Sequence, residues 1–217
     1  MKVKWFGHAS FLITSDKGVK IITDPYTPGV YGLDYNQISE SADIVTISHD
    51  HADHNNVSAI PGKPQIVKGT GKHQIKGIEF RGIASCHDDC GGKERGDNTI
   101  FIFTVDDIRF CHLGDLGRLL TDKEVSDIGK VDVLMIPVGG SFTIDAAGAD
   151  KVIAQIKPRI VLPMHYQTDG CPNFPVANAD PFLKVKKNVK KIDSSSTELK
   201  ASQLPKDTQI YVLRHEL

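Results

Sequence analysis

Long apolar runs are missing from this chain, which excludes a helical membrane protein before any residue is singled out. No stretch approaches the ~20 apolar residues a membrane-crossing helix needs. The opening Met1-Lys2-Val3-Lys4-Trp5-Phe6-Gly7-His8 also lacks the apolar core of a secretory signal, so the expectation is a soluble, cytoplasmic protein without stable membrane insertion. Cysteine is scarce. Cys86, Cys90, Cys111 and Cys171 are too few and too scattered for a disulfide framework, leaving reduced thiols as the default. An excess of one charge sign is absent as well: 26 basic against 27 acidic side chains give a net charge of −1, so the overall field steers the chain toward neither nucleic acid nor an anionic surface. The local excess at Lys184, Lys186, Lys187, Lys190 and Lys191, with Phe182, Val185 and Val189 interleaved, reads as the solvated face of a helix.

What is present is enough for one core. At 217 residues a single domain spanning residues 1–217 is expected, with no repeat, linker or low-complexity tract to divide it. Short β-rich runs dominate the first half: Ser10 to Thr14, Val19 to Thr23, Ile44 to Ser48, Ile78 to Ser85, Thr99 to Val105 and Ile108 to Cys111, with turn signals such as Asp16-Lys17-Gly18 between them. The second half alternates. Thr121 and Glu124 form a capping box that opens a helix to about Ile128, a strand follows from Val133 to Pro137, Asp145 caps a helix through Ile156, and Ile160 to Met164 is the next strand. Hairpins early and strand-helix-strand units late predict an α/β chain of mixed sheets with helices on their outer faces. Residues 25 to 41 and the segment Pro172-Asn173-Phe174-Pro175 are irregular and long enough to wall a site.

The chemistry concentrates in Ser48-His49-Asp50-His51-Ala52-Asp53-His54, where three of nine histidines fall within six positions behind an apolar strand. Imidazole nitrogen and carboxylate oxygen suit zinc and its neighbours, and the lack of cysteine in the cluster argues against an iron-sulfur centre or a zinc finger. His49 and His51, two apart in extended chain, can face one ion; Asp53 and His54 point to a second position nearby. The pattern recurs along the chain. Strand-like runs end just before Asp24, His49, His87, His112 with Asp115, and His165, and the strand ends of an α/β sheet converge on one edge.

The run His49-Asp50-His51-Ala52-Asp53-His54 resembles the HxHxDH motif of the metallo-β-lactamase superfamily. Trp5-Phe6-Gly7-His8-Ala9-Ser10-Phe11 followed by Ile22-Thr23-Asp24-Pro25 is similar to the opening of its compact branch, which includes ascorbate-6-phosphate lactonase and the N-acyl-phosphatidylethanolamine phospholipase D group. Leu113-Gly114-Asp115 and Leu162-Pro163-Met164-His165 resemble two further motifs of that family. The resemblance implies a four-layer αββα sandwich of two mixed sheets covered by helices, with a two-metal site at one edge. It further implies His49, His51 and His87 on one divalent ion, Asp53, His54 and His165 on the other, and Asp115 bridging, with His112 competing with His87 for the third imidazole. The ions would be zinc, with manganese or iron as alternatives.

Two divalent ions with Asp53, Asp115 and a bridging hydroxide leave a net positive site, which favours an anionic small-molecule substrate. The reading is therefore a metal-dependent hydrolase in which that hydroxide attacks an ester, lactone or phosphodiester. Asp53 accepts a hydrogen bond from the hydroxide. His8 is either a proton donor over the metals or a buried structural histidine, and His112 either an acid/base group or a supporting one. Asp24 is expected to orient a ligand histidine. Arg95 either faces an anion or belongs to an ordinary hairpin, and His73 and His215 read as solvated. The rivals are a mononuclear or di-iron redox enzyme of the persulfide dioxygenase type and a non-catalytic metal-binding protein. A homo-oligomer stays open.

Overall fold

The computed structural model describes residues 1–216. Two sheets account for nearly all regular structure. The first contains β1 (Lys2–Gly7), β2 (Ser10–Thr14), β3 (Lys20–Thr23), β4 (Ile44–Ile47), β5 (Gln65–Lys68) and, last in sequence, β13 (Ser196–Glu198), in the order β13-β1-β2-β3-β4-β5. The second contains β6 (Gly71–Ile75), β7 (Ile78–Cys86), β8 (Asp97–Val105), β9 (Ile108–His112), β10 (Val133–Pro137), β11 (Ile160–Met164), β12 (Val189–Ile192) and β14 (Gln209–Leu213), in the order β12-β14-β11-β10-β9-β8-β7-β6. Helices α1 (Asp122–Ile128), α2 (Ala146–Ile156) and α3 (Asp180–Leu183) complete the α/β sandwich.

Connection length decides strand direction. Short turns make β1, β2 and β3 alternate, as they do β6 with β7 and β8 with β9, and the longer loop 87–96 returns β8 antiparallel to β7, whereas α1 and α2 carry the chain back so that β9, β10 and β11 run parallel. The consequence is geometric. β1, β3 and β4 end at one edge of the first sheet, and β7, β9 and β11 end at one edge of the second. Backbone bonds join those two edges: Thr99 N–H donates to Ser48 O at 2.9 Å and His165 N–H to His8 O at 3.2 Å.

Period-2 alternation in the first sheet sorts its side chains. Val3, Trp5, Phe11, Ile13, Ile21 and Ile44 face the core shared with the second sheet, while Phe6, Leu12, Ile22, Val45 and Ile47 face outward. Among the described residues, irregular chain supplies the layer over that outer face. Tyr26, Leu33, Tyr35 and Ile38 of segment 25–41 cover it, together with Cys171, Phe174 and Val176. The second sheet is covered as the sequence suggests. The Thr121 and Glu124 capping box opens α1, Asp145 caps α2 through the Gly148 N–H at 2.8 Å, and α2 buries Ala149, Val152 and Ile156.

Two expectations change. The lysine run is not a helix: α3 stops at Leu183, and Lys190 and Lys191 lie in β12, an edge strand whose charges discourage pairing with another chain. His215 is not solvated, since its ring packs on Trp5 and Tyr35 and its Nε2 lies 2.6 Å from Asp169 Oδ1. No helix among the described residues is long and apolar enough to cross a membrane.

Phe80, Phe103 and Phe110 stand opposite one another on β7, β8 and β9, with ring centroids 5.1 and 5.4 Å apart, all fully buried. Phe103→Ala should therefore cost about 3–5 kcal/mol in denaturant unfolding. Val185→Thr, at a side chain left 80% exposed, should stay within about 0.5 kcal/mol of the parent.

Candidate metal centre

Six of the strands that end at the shared edge deliver a side chain. His8 follows β1, Asp24 follows β3, His87 follows β7 and His165 follows β11 directly; His49 and Asp115 come two and three residues after β4 and β9. His8, Asp24 and His165 take positive φ of 51°, 37° and 52°, a strained turn that swings the side chain over the sheet edge as soon as the strand stops.

Three groups of donor atoms result, each with its members within 4.8 Å of one another: His49, His51 and His87; His8, Asp53, His54 and His165; and Asp24, His49 and His54. Asp115 joins the first two. Its Oδ2 lies 3.2 Å from His87 Nε2, 3.2 Å from His54 Nε2 and 3.1 Å from His165 Nε2, and 4.0 Å from His49 Nε2. All seven side chains singled out as ligands in the sequence thus converge on one spot.

The surroundings fix how the rings face. Asp24 Oδ1 accepts the Ser48 N–H at 2.8 Å, and its Oδ2 accepts both the Ser48 hydroxyl and His54 Nδ1–H at 3.0 Å. With its proton given to Asp24, Ser48 Oγ accepts His49 Nδ1–H at 2.8 Å. His87 Nδ1–H donates to Phe142 O at 3.1 Å. Protons held on Nδ1 leave the Nε2 lone pairs of His49, His54 and His87 facing inward, the tautomer a cation requires. Asn98 places Asp115 by accepting its N–H at 3.0 Å while donating to Leu113 O and Ser85 Oγ. This tight corner needs glycine at 114, where a Cβ would stand 2.2 Å from Asn98 Oδ1.

Burial and mutual contact set the protonation states. Burial lowers His8 to about 4 and His49 to about 3, with neighbouring histidines adding to the effect. Burial opposes ionisation of Asp53 and Asp115, yet His54 with His8, and His165 with His54, hold their carboxyls well below the usual range. His54 is pushed up against its own burial by Asp115 and Asp53. The buried set is rich in negative charge. Asp53 Oδ1, Asp115 Oδ1 and His165 Nδ1 are buried without a hydrogen-bond partner among the described residues, and a divalent cation fits this nitrogen-and-oxygen donor set.

His8 sits within the cluster, its Nε2 3.1 Å from Asp53 Oδ2 and 3.2 Å from His54 Nε2. His112 does not. Its Nε2–H donates to Ala9 O at 2.9 Å and its Nδ1 accepts the Gly114 N–H at 3.2 Å, so both ring nitrogens are spent on backbone and the ring ties the two sheets together. An acid/base role for His112 is thereby corrected to support.

A cavity of about 390 Å³ opens over the cluster, lined by His51, Asp53, Asp115 and His165 on the floor and by Tyr31, Phe142, Phe174, Pro175 and Arg95 around it. Both irregular segments thus supply walls. Sequence reasoning missed Asn98 and the Phe142 carbonyl, which carry no spacing signal.

An α/β sandwich with a histidine and aspartate cluster where its sheet edges meet is a class of metal-dependent enzyme. A family model described as the beta-lactamase superfamily domain matches residues 2–165. A UPF0173 metal-dependent hydrolase of Archaeoglobus fulgidus is 27% identical over 214 residues, covering 83% of this chain and 87% of that protein. A UPF0173 protein of Pyrococcus abyssi is 33% identical over 187 residues, covering 78% and 85%. The crystal structure of a metallo-β-lactamase superfamily protein from Thermotoga maritima matches with a TM-score of 0.82 at 32% identity over 99% of each chain. The chain belongs to the beta-lactamase superfamily, among its metal-dependent hydrolases.

Asp24→Asn is nearly isosteric but replaces an acceptor needed by His54 and Ser48 with an NH2 group. Metal affinity, read by chelator competition, should fall about 10–100-fold. Unchanged affinity would show that Asp24 does not orient the cluster.

Proposed function

We propose that residues 1–217 act as one domain that hydrolyses an ester, lactone or phosphodiester centre of an anionic small molecule with the help of two divalent ions, zinc by preference. His49, His51 and His87 hold one ion, Asp53, His54 and His165 the other, and Asp115 lies between them. The observation that carries this reading is the position of Asp115 Oδ2, within 3.2 Å of Nε2 atoms from both histidine groups. A donor set of imidazoles and carboxylates without thiolate supports zinc over softer alternatives.

When bound, such ions supply an activated water, the hydroxide of the proposed reaction, and polarise the group it attacks. The protein's own part is positional. Asp24 and Ser48 hold His54 and His49, the Phe142 carbonyl holds His87, and Asp53 Oδ2 accepts His8 Nε2–H. In that arrangement His8 keeps the Asp53 carboxylate aimed at the cluster; as a neutral imidazole it spends its Nε2 proton on that bond, which makes it a positioning residue. Phe142 and Phe174, with ring centroids 5.7 Å apart, restrict water above the floor.

Elemental analysis of the protein as isolated, followed by phosphodiester, lactone and ester substrates with that metal restored, tests the reading. Asp53→Ala and His51→Ala should abolish turnover with the thermal midpoint of the metal-replete protein near that of the parent; full turnover in either variant would sink the assignment. One iron per chain with oxygen consumption would favour the redox alternative.

A further inference from the structure

Among the described residues that line the site cavity, Arg95 alone carries a fixed positive charge, and no step above uses it. The chain holds it in place with care. The buried Asp88 carboxylate accepts the backbone N–H groups of Cys90, Gly92, Glu94 and Arg95 at 3.0, 2.7, 2.9 and 2.9 Å, closing residues 88–95 into a fixed loop. These donors, the Arg95 N–H first, hold the Asp88 carboxyl well below its usual range.

From that loop the half-buried Arg95 guanidinium lies over the Phe142 ring, 5.7 Å from its centroid. A cation–π contact of this length spends no N–H group, so the guanidinium donors stay free for an acceptor. Its one ion-pair contact among the described residues is to the neighbouring, largely exposed Glu94 at 3.9 Å, which neutralises little. Arg95 also lines the adjoining cavity with Ser48, His49, Asp50 and His51, so it borders the floor on two sides. The same cavity is lined by the apolar surfaces of Phe174, Pro175 and Tyr31.

Building on the hydrolase reading, we propose that Arg95 is a specificity-determining residue: it binds an oxyanion, carboxylate or phosphate, that the substrate carries beside the bond to be cleaved. Phe142, Phe174 and Pro175 receive an apolar body, so the substrate class is a small acid with an aryl or branched alkyl portion.

Isothermal titration of metal-replete parent, Arg95→Gln and Arg95→Lys proteins with phenylphosphonate, benzoate and neutral benzamide tests this. Arg95→Gln should weaken at least one anion by about tenfold or more, leave benzamide, metal content and thermal midpoint unchanged, and be partly rescued in Arg95→Lys. A loss confined to phenylphosphonate identifies a phosphate, and one confined to benzoate a carboxylate. Equal affinity of parent and Arg95→Gln for both anions overturns the proposal, as does the absence of saturable binding of either anion to the parent. Failure to hydrolyse any ester, lactone or phosphodiester would instead strike the hydrolase reading, which the titration does not depend on.

Discussion

Three carboxylates, Asp24, Asp53 and Asp115, are buried among histidines where the two sheets meet, and the local structure answers the cost of holding them there. Charge withdrawn from water has to meet opposite charge or N–H and O–H donors. Asp24 is satisfied within the protein: both oxygens accept hydrogen bonds from Ser48 and one from His54, which makes it an orienting group. Asp53 and Asp115 each keep a buried oxygen without a donor among the described residues. That difference separates the carboxylate that positions from the two that call for a cation.

The strand ends make such a cluster possible without a long binding loop. A strand that runs to the edge and turns at once through positive φ, as at His8, Asp24 and His165, presents its side chain on a rigid base. The strain at these positions, about 1–3 kcal/mol each, is offset by the hydrogen bonds and packing that hold the edge together, among them His165 N–H to His8 O. His112 belongs to the same economy of backbone contacts: it lies at a strand end, where a ligand would be sought, and joins β9 to Ala9 instead.

Much of this was legible before the structure, and the reasons are physical. The central strands and both capped helices announced themselves because burial enforces periodicity and helix ends need caps, so β2, β10, β11 and α1 fall within a residue of their expected limits. β5, β6, β12, β13 and β14 were not foreseen. They are short or lie toward the margins of their sheets, half-exposed, and carry mixed polar sequences such as Gln65-Ile66-Val67-Lys68 in which alternation is weak. The lysine run misled for a related reason, since charge alone does not distinguish an exposed helix face from an edge strand. At the site, clustered imidazoles are a statistical anomaly visible in any sequence. A lone asparagine such as Asn98, or the carbonyl of Phe142, becomes functional only through a neighbour brought near by the fold.

The apolar wall and the polar floor of the cavity are mechanically one unit. Phe142 contributes its ring to the wall and its carbonyl to His87, while the Phe174 ring packs edge-on against His8 and His165 with centroids 5.4 Å from each. Behind them Tyr35 fits against Gly7 and Gly170, where a Cβ would come within 2.6 and 2.4 Å of its ring, and its hydroxyl bonds Thr168, which locks segment 25–41 to the segment carrying Phe174. Tyr31, 62% exposed at the rim, stands outside this lock. Close-packed contacts of this kind transmit displacement rather than absorb it. Reshaping the wall to admit a different substrate body through Phe142 or Phe174 therefore shifts the histidines beneath it, whereas a change at Tyr31 alters the entrance alone. Variation in substrate choice that preserves the cluster is accordingly easiest at the rim, at Tyr31 and at the Arg95 side chain, which borders the floor without a hydrogen bond to it.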